Sequence, residues 1–314
     1  IWIVACGSAY HVGVAAQYIF EDLIRIPVRV ELASEFRYRN PIIDKDALVI
    51  IISQSGETAD SLAALRESKR MGIKTLAIVN VVGSSIAREA DIVCYTLAGP
   101  EIAVATTKAY SAQLAMSYVI AILFAYVRGE IDEKQYTSLI NDLLTLPDKI
   151  SRLLEDKERI QWFASKFSNA KDIFFIGRGI DYAISLEGSL KMKEISYIHS
   201  EAYAAGELKH GTISLIEEGI LVIGVLTQQE LYEKTLSNMV EVKSRGAYLM
   251  GLTNNGNYNI EDVADFVAYI PKIDKHFTTS LAIIPLQLMA YYVSVARGLD
   301  VDKPRNLAKS VTVE

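Results

Sequence analysis

The sequence predicts an α/β fold made of two copies of one parallel-sheet domain, followed by a C-terminal tail that fits neither copy. Three observations carry this. Short apolar runs alternate with segments of helical period, the pattern of β-α-β units and of a parallel sheet covered on both faces. The order of these runs then restarts: Ile173-Phe174-Phe175-Ile176-Gly177 repeats the opening strand and Gly7 at an offset of 170 residues (177 against 7). Beyond Gly298, finally, the pattern of both copies is finished and the chain is not. A repeat of this length is a duplicated domain, not a solenoid.

In the first copy Ile1 to Ala5 reads as a buried strand, Gly7 as the start of a turn, and Tyr10 to Ile24 as a helix. Val28 to Leu32 is a short strand, followed by Ala33-Ser34-Glu35-Phe36-Arg37. Leu48 to Ile52 is apolar throughout, as a strand buried on both faces requires. Thr75–Val79 and Ile92–Tyr95 complete five strands. A helix from about Thr107 to Val127 is apolar nearly all round and is expected to be buried at an interface. Residues 132–167 are helical and polar-faced, with Pro147 as a break, and read as a connector.

The turn after Leu48–Ile52 organises the chain. It reads Ser53-Gln54-Ser55-Gly56-Glu57-Thr58 and leads into the amphipathic stretch Ala59 to Lys69. A helix start there offers unpaired N–H groups and a positive dipole end. Ser53, Ser55 and Thr58 add hydroxyls, Gln54 an amide, and Gly56 allows close backbone approach. One Ser or Thr would suffice to cap a helix; four polar side chains around one glycine point instead to a phosphate ester held by neutral donors. The Gly-Lys-Ser/Thr ending of a nucleoside-triphosphate loop is absent.

In the second copy Ala205-Gly206-Glu207-Leu208 matches Ala33-Ser34-Glu35-Phe36, Leu221–Val225 matches Leu48–Ile52, and Leu249–Thr253 matches Leu76–Asn80. Leu281 to Ala296 mirrors the apolar helix of the first half. Where the phosphate turn should recur stands Thr227-Gln228-Gln229-Glu230, with no glycine, one hydroxyl and a carboxylate that would repel a dianion. One copy has kept the phosphate site and the other has lost it. The proposed boundaries are 1–131 and 168–298 for the two domains, 132–167 for the connector and 299–314 for the tail.

The second copy carries chemistry of another kind. Asp181 to His199 reads as a helix on which Glu187, Lys191 and Glu194 recur at i, i+4 and i+7, on one face. On the residues alone, a solvated face with ordinary ion pairs and an acid–base pair for proton transfer beside a carbonyl both stay open. The helix follows Gly177-Arg178-Gly179 at the carboxyl end of a strand, where ligands bind in such sheets. His210, one of four histidines, lies in a short loop with Glu207, Lys209 and Gly211. In the tail, Leu307, Ala308, Val311 and Val313 suggest apolar docking, which would carry Lys309 into a cleft as an amine able to meet a carbonyl.

Composition narrows the classes. Hydrophobic residues make up 51% and charged ones 22% of 314 residues, enough for two cored domains and without the bias of disorder. A net charge of −6 with no dense basic cluster gives nucleic acid no footprint. No apolar run is expected to span a membrane free of a charge or break, and no signal peptide is visible. Two cysteines without metal-ligand spacing fit a reducing cytoplasm. Because Ile1 already opens a buried strand, the chain reads as part of a longer protein.

The motifs resemble those of sugar isomerase (SIS) domains, and specifically the isomerase half of the glutamine–fructose-6-phosphate aminotransferase (glucosamine-6-phosphate synthase) family. Cys6-Gly7, Ala33 to Tyr38, Ser53 to Thr58 and Val104-Ala105-Thr106-Thr107-Lys108 are similar to the family's first domain. Lys191 to Tyr197 and Glu201 to Gly211 are similar to its second, and Pro304 to Glu314 to its tail, which other SIS proteins lack. The resemblance implies a flavodoxin-like fold in both copies, a homodimer, no metal and no organic cofactor. It implies that Ser53, Gln54, Ser55 and Thr58 hold the sugar phosphate and that Val104 and Ala308 line the site. Glu194 would move a proton between C1 and C2, supported by Lys191. His210, from the partner subunit, would open the sugar ring, and Lys309 would meet the C2 carbonyl. The family reads Cys-Gly-Thr-Ser-Tyr where this chain has Cys6-Gly7-Ser8-Ala9-Tyr10; Ser8 keeps a hydroxyl one position early, so weakened binding is expected. The implied reaction converts fructose 6-phosphate and ammonia, from a glutaminase domain absent here, to glucosamine 6-phosphate. An amino-sugar-phosphate deaminase or deglycase and a non-catalytic phosphosugar-binding regulator are the alternatives.

Overall fold

A computed structural model describes residues 1–313; Glu314, the last residue of the expected tail, lies outside the described residues. The chain divides into two compact units, Ile1–Ile140 with the tail from Asn306, and Asn141–Arg305.

The first unit runs β1 (Trp2–Ala5), α1 (Gly7–Ile24), β2 (Arg29–Leu32), α2 (Ala33–Arg39), β3 (Leu48–Ser53), α3 (Ala59–Arg70), β4 (Lys74–Val79), α4 (Ser85–Glu89), β5 (Ile92–Tyr95) and α5 (Lys108–Arg128), and ends within α6 (Glu133–Leu143). Its five strands lie in the order β2-β1-β3-β4-β5, all parallel. Apolar β3 sits centrally between β1 and β4, with Val49 to Ile52 buried. Trp2, Val4, Phe36, Val49, Ile51 and Val79 belong to a core on one face of this sheet; each large apolar side chain fully buried there contributes about 1.5–3 kcal/mol. The helix expected from Tyr10 begins earlier, at Gly7, whose φ of +56° turns the chain off β1.

The second unit contains α7 (Leu146–Glu155), α8 (Lys157–Ser165), β6 (Asp172–Gly177), α9 (Ile180–Ser196), β7 (His199–Ala204), β8 (Leu221–Leu226), α10 (Tyr232–Lys243), β9 (Tyr248–Asn254), β10 (Phe266–Ile270) and α11 (Thr278–Ala296). The strand order, β10-β9-β8-β6-β7, is the first sheet's order again when read from β7. This 2-1-3-4-5 arrangement is that of flavodoxin-like sheets. Pro147 occupies the first turn of α7, where its missing N–H costs nothing.

Two expectations are corrected. The helix does not continue to His199. It ends at Ser196, Tyr197 takes the left-handed cap at φ 59°, and His199–Ala204 pair in parallel with β6. A polar edge strand carries no apolar run to announce it, so the helix reads through to His199 and the strand goes unassigned. Second, α5 is long and apolar enough to cross a membrane, and so is the segment Lys275–Ala296 that contains α11. Their apolar residues are spent on packing instead: α5 runs along α1, and α11 lies against α9, α8 and α7. About half of the apolar window of α5 and 61% of that of Lys275–Ala296 are buried within the protein.

Candidate active site

In the first unit, the segments after β1 and β3 meet at the point where the strand order reverses, the place where open α/β sheets bind ligands. The hydroxyls of the turn are arranged across it rather than along the helix. Ser53 Oγ accepts from Gly56 N at 3.0 Å and shares a hydrogen bond with Thr58 Oγ1 at 3.2 Å. Thr58 stands at the N-cap of α3 yet makes no side-chain cap bond; capping therefore does not explain its hydroxyl. Gly56 is obligatory, because its φ is +66° and a Cβ there would lie 2.0 Å from Ser84 Oγ. Glu57 turns away and accepts from Ser85 N at 2.7 Å; that backbone bond holds its carboxyl below the ordinary carboxylate range. Gln54 is half-buried, and its carbonyl accepts from Asn80 N. Ser8 is buried in the first turn of α1, beside half-buried Ala9.

The tail docks on this turn, but not through its apolar residues. Leu307, Val311 and Val313 are exposed, as is Ala308. The contacts are polar: Ser310 Oγ meets Ser55 Oγ at 3.0 Å, and Val311 O accepts from Ala59 N, the first amide of α3, at 3.0 Å. Lys309 Nζ donates to Ala103 O at 2.7 Å and Glu101 Oε2 at 3.2 Å. Val104, half-buried, follows directly. Glu101 was not anticipated from the sequence. Burial pushes its carboxyl up, but bonds from Thr106 and Thr107 and the Lys309 charge outweigh this and hold it below its ordinary value. The one available signal was its position three residues before Val104, just ahead of that motif.

In the second unit, α9 aligns Glu187, Lys191 and Glu194 as the spacing predicts. Lys191, 2% exposed, lies between Glu187 Oε1 at 3.4 Å and Glu194 Oε2 in closer contact. Glu187 is fully buried, while the Glu194 side chain stays 22% exposed. Desolvation lowers the Lys191 pKa, yet the two carboxylates prevail and hold it above the ordinary lysine value, so the ammonium persists. The solvated-face reading fails for this trio. Lys193 is engaged elsewhere, donating to Ser189 Oγ and Ser200 O. His210 ends the 3-10 turn Ala205–His210 and is exposed, apart from the trio. Lys209 pairs with Glu241 at 2.5 Å, not with Glu207.

The second copy's lost phosphate turn is occupied from within. Asp181, 1% exposed, accepts from Thr227 N at 2.8 Å, Thr227 Oγ1 at 2.5 Å and Gln228 N at 3.3 Å. Desolvation raises its carboxyl to about 7, against those three bonds. Cys6 and Cys94 are both free thiols. Among the described residues no three His, Cys, Asp or Glu side chains gather to hold a metal ion.

The SIS domain family model matches residues 1–123 and 166–297. The glutamine–fructose-6-phosphate aminotransferase [isomerizing] of Caldanaerobacter subterraneus subsp. tengcongensis is 60% identical over all 314 residues, which cover 52% of that protein. That of Clostridium tetani is 59% identical over the same span and share. The chain thus spans about half the length of the curated relatives it matches. A solved structure, the C-terminal domain of glucosamine-fructose-6-phosphate aminotransferase from Francisella tularensis, superposes with a TM-score of 0.92 at 37% identity, covering 96% of this chain and 85% of that one. The resemblance drawn from the motifs therefore holds along the whole chain, and the protein belongs to the SIS domain family, in the group formed by the C-terminal domains of glucosamine-fructose-6-phosphate aminotransferases.

Proposed function

We propose that this chain is the isomerase half of a glucosamine-6-phosphate synthase, acting on fructose 6-phosphate with ammonia from a glutaminase domain of the same parent chain. The observation that carries the reading is the pair Lys191–Glu194: a carboxylate still open to solvent, in contact with a buried ammonium. A module that only binds sugar phosphates has no use for such a base.

In this reading Ser53, Gln54, Ser55 and Thr58 hold the phosphate, with Ser8 as a weaker contributor, and Val104 and Ala308 line the sugar. Lys309 meets the C2 carbonyl of the open chain. Its ammonium, paired with Glu101, is the source of the positive charge that polarises the carbonyl. Ammonia adds at C2 and water leaves, giving an imine. Glu194 removes the C1 proton, forming the enolamine, and returns a proton to C2 as the C1 carbonyl forms. His210 opens the ring in a homodimer, supplied by the partner subunit. The exposed apolar residues Val119, Leu123, Tyr126 and Val127 on α5 favour such self-association. The free thiols suit a cytoplasmic setting.

Proton removal at C1 needs no ammonia, so the chain alone exchanges the C1 hydrogen of fructose 6-phosphate with solvent. Glu194→Gln keeps the shape and loses the base; exchange falls by about 100-fold, a typical general-base contribution. Deuterium uptake at C1, followed by NMR in heavy water, measures both. Wild-type protein without uptake would sink the assignment, and undiminished uptake in the variant would move the base elsewhere.

A further inference from the structure

We infer that Asp181 is an internal ligand: its carboxylate takes the place of an external anion in the second sheet's crevice and thereby fixes the helix that carries Glu187, Lys191 and Glu194. Each part of this stands on geometry. Thr227 and Gln228 directly follow β8, the strand that corresponds to β3, and sit beside the end of β6 at the switch point of the second sheet. In the first copy the amides of that turn are bound elsewhere, Gly56 N to Ser53 Oγ, Glu57 N to Ser55 Oγ and Ala59 N to Val311 O. In the second the two backbone N–H groups and the Thr227 hydroxyl all point at one carboxylate from within the fold.

That carboxylate belongs to the second residue of α9. Ionised above about pH 7, it places negative charge in the first turn, at the positive end of the helix dipole. The backbone of the first turn of α9 packs so closely on Gly177 that a Cβ there would lie 2.5 Å from the Asp181 backbone carbonyl oxygen. The 170-residue offset that relates Gly177 to Gly7 places His11 at the equivalent position of the first copy, so no carboxylate plugs the phosphate turn there. The surrounding donors are themselves tied down: Gln228 Nε2 bonds Thr227 Oγ1 and Thr278 Oγ1, and Asn254 Nδ2 bonds Thr227 O. The result is a rigid socket joining α9 to the ends of β8 and β9. Asp181 is thus a positioning residue for the trio further along α9. That part rests on the proposed proton shuttle; the socket itself does not.

Two measurements test the inference. Asp181→Ala empties the socket and leaves its N–H groups facing a carboxylate-sized void. Formate should raise the thermal midpoint of this variant and leave the wild type unmoved, while chloride at equal ionic strength moves neither. A variant indifferent to formate overturns the internal ligand. In the second, Asp181→Asn keeps the volume and loses the charge; C1 hydrogen exchange should fall about tenfold to a hundredfold, the scale of a displaced catalytic group, with KM for fructose 6-phosphate unchanged because the phosphate turn belongs to the other unit. Formate should restore part of the exchange lost in Asp181→Ala. An unchanged rate in Asp181→Asn, or an equal loss in KM, overturns the positioning role. If Asp181→Ala fails to fold, Thr227→Val, which removes one donor, must lower exchange by a smaller factor; no change overturns the inference. A wild-type chain without exchange would sink the proposed reaction and leave the formate test standing.

Discussion

Replacing Lys191 by Met is the sharpest probe of the second unit. The side chain is 2% exposed and is shared by Glu187, fully buried, and Glu194. Met fills nearly the same volume, so the packing term is small and the electrostatic one dominates. Removing one partner from a buried ion pair strands the other charge and costs about 3–5 kcal/mol. In hydrogen-exchange terms that is roughly a hundredfold to several-thousandfold loss of protection, at about 1.4 kcal/mol per tenfold, in the β6 and β8 amides; those of β1 and β3 in the first unit serve as the internal control. The pH dependence fixes the cause. In the wild type the folded-state pKa of Lys191 is raised, so its stabilisation is complete below the ordinary lysine value and is lost only as pH rises through the folded one. Across neutral pH it is flat. In the variant, the buried Glu187 carboxyl without a cation has a raised pKa. The folded state then holds a proton that the unfolded state releases, and stability falls as pH rises. The deficit should therefore be smaller at about pH 5 than at about pH 8. Equal deficits at the two pH values, or less than about 1 kcal/mol at the higher one, would refute the account of this trio.

Two further outcomes concern the first unit. Ser55→Ala removes a hydroxyl of the phosphate turn and the partner of Ser310; loss of one charge-assisted hydrogen bond, roughly 1.5–3 kcal/mol, should weaken fructose 6-phosphate binding about tenfold or more by calorimetry, and unchanged affinity would remove this turn as the phosphate site. Glu101→Gln deletes the charge that pairs with Lys309 and should increase proteolytic cleavage of the tail beyond Arg305. Because the Glu101 pKa is depressed, the wild-type contact is full above the ordinary glutamate value and lost as pH falls through the folded one, so acid should loosen the wild-type tail and leave the variant's unchanged.

The duplication was legible because parallel strands buried on both faces must be apolar runs, and all of the strands except β2 and β7 contain such a run. The polar edge strand β7 escaped for the same reason: edge position relaxes the demand for apolar residues, so His199 read as the end of the helix and Ser200 and Glu201 were not assigned to a strand. Spacing alone placed Lys191 between its two carboxylates, since i, i+3 and i+4 positions on a helix must meet. It could not tell that the face is buried, which depends on α11 packing against α9. The tail's docking was anticipated with the wrong chemistry. Apolar residues suggested it, whereas Lys309, Ser310 and a backbone carbonyl perform it. Glu101 and Asp181 were missed because each acts on a partner more than 40 residues away, Lys309 and Thr227, and no local period links such pairs.

The two copies have diverged in a direction that electrostatics makes intelligible. A phosphate dianion and a carboxylate base are poor neighbours, since each raises the proton affinity of the other. A single copy offering both from one crevice would neutralise its own base. Here the first copy holds neutral hydroxyls, with Glu57 folded away onto Ser85 N and Glu101 matched to Lys309. The second copy has the proposed base, the buried ammonium of Lys191 beside it, and a crevice occupied by Asp181. Swapping the relevant pieces should therefore fail in a defined way. A chain carrying Gly56→Glu in the first copy would meet both the positive φ and the Ser84 contact, and would also set a carboxylate where the phosphate is proposed to bind. The charge term separates from the steric one by comparison with Gly56→Gln: the strain is common to both, so any further loss of fructose 6-phosphate affinity in Gly56→Glu is the repulsion alone. Equal affinities in the two variants would mean that the phosphate does not bind at this turn, and the proposed division of labour between the copies would have to be abandoned.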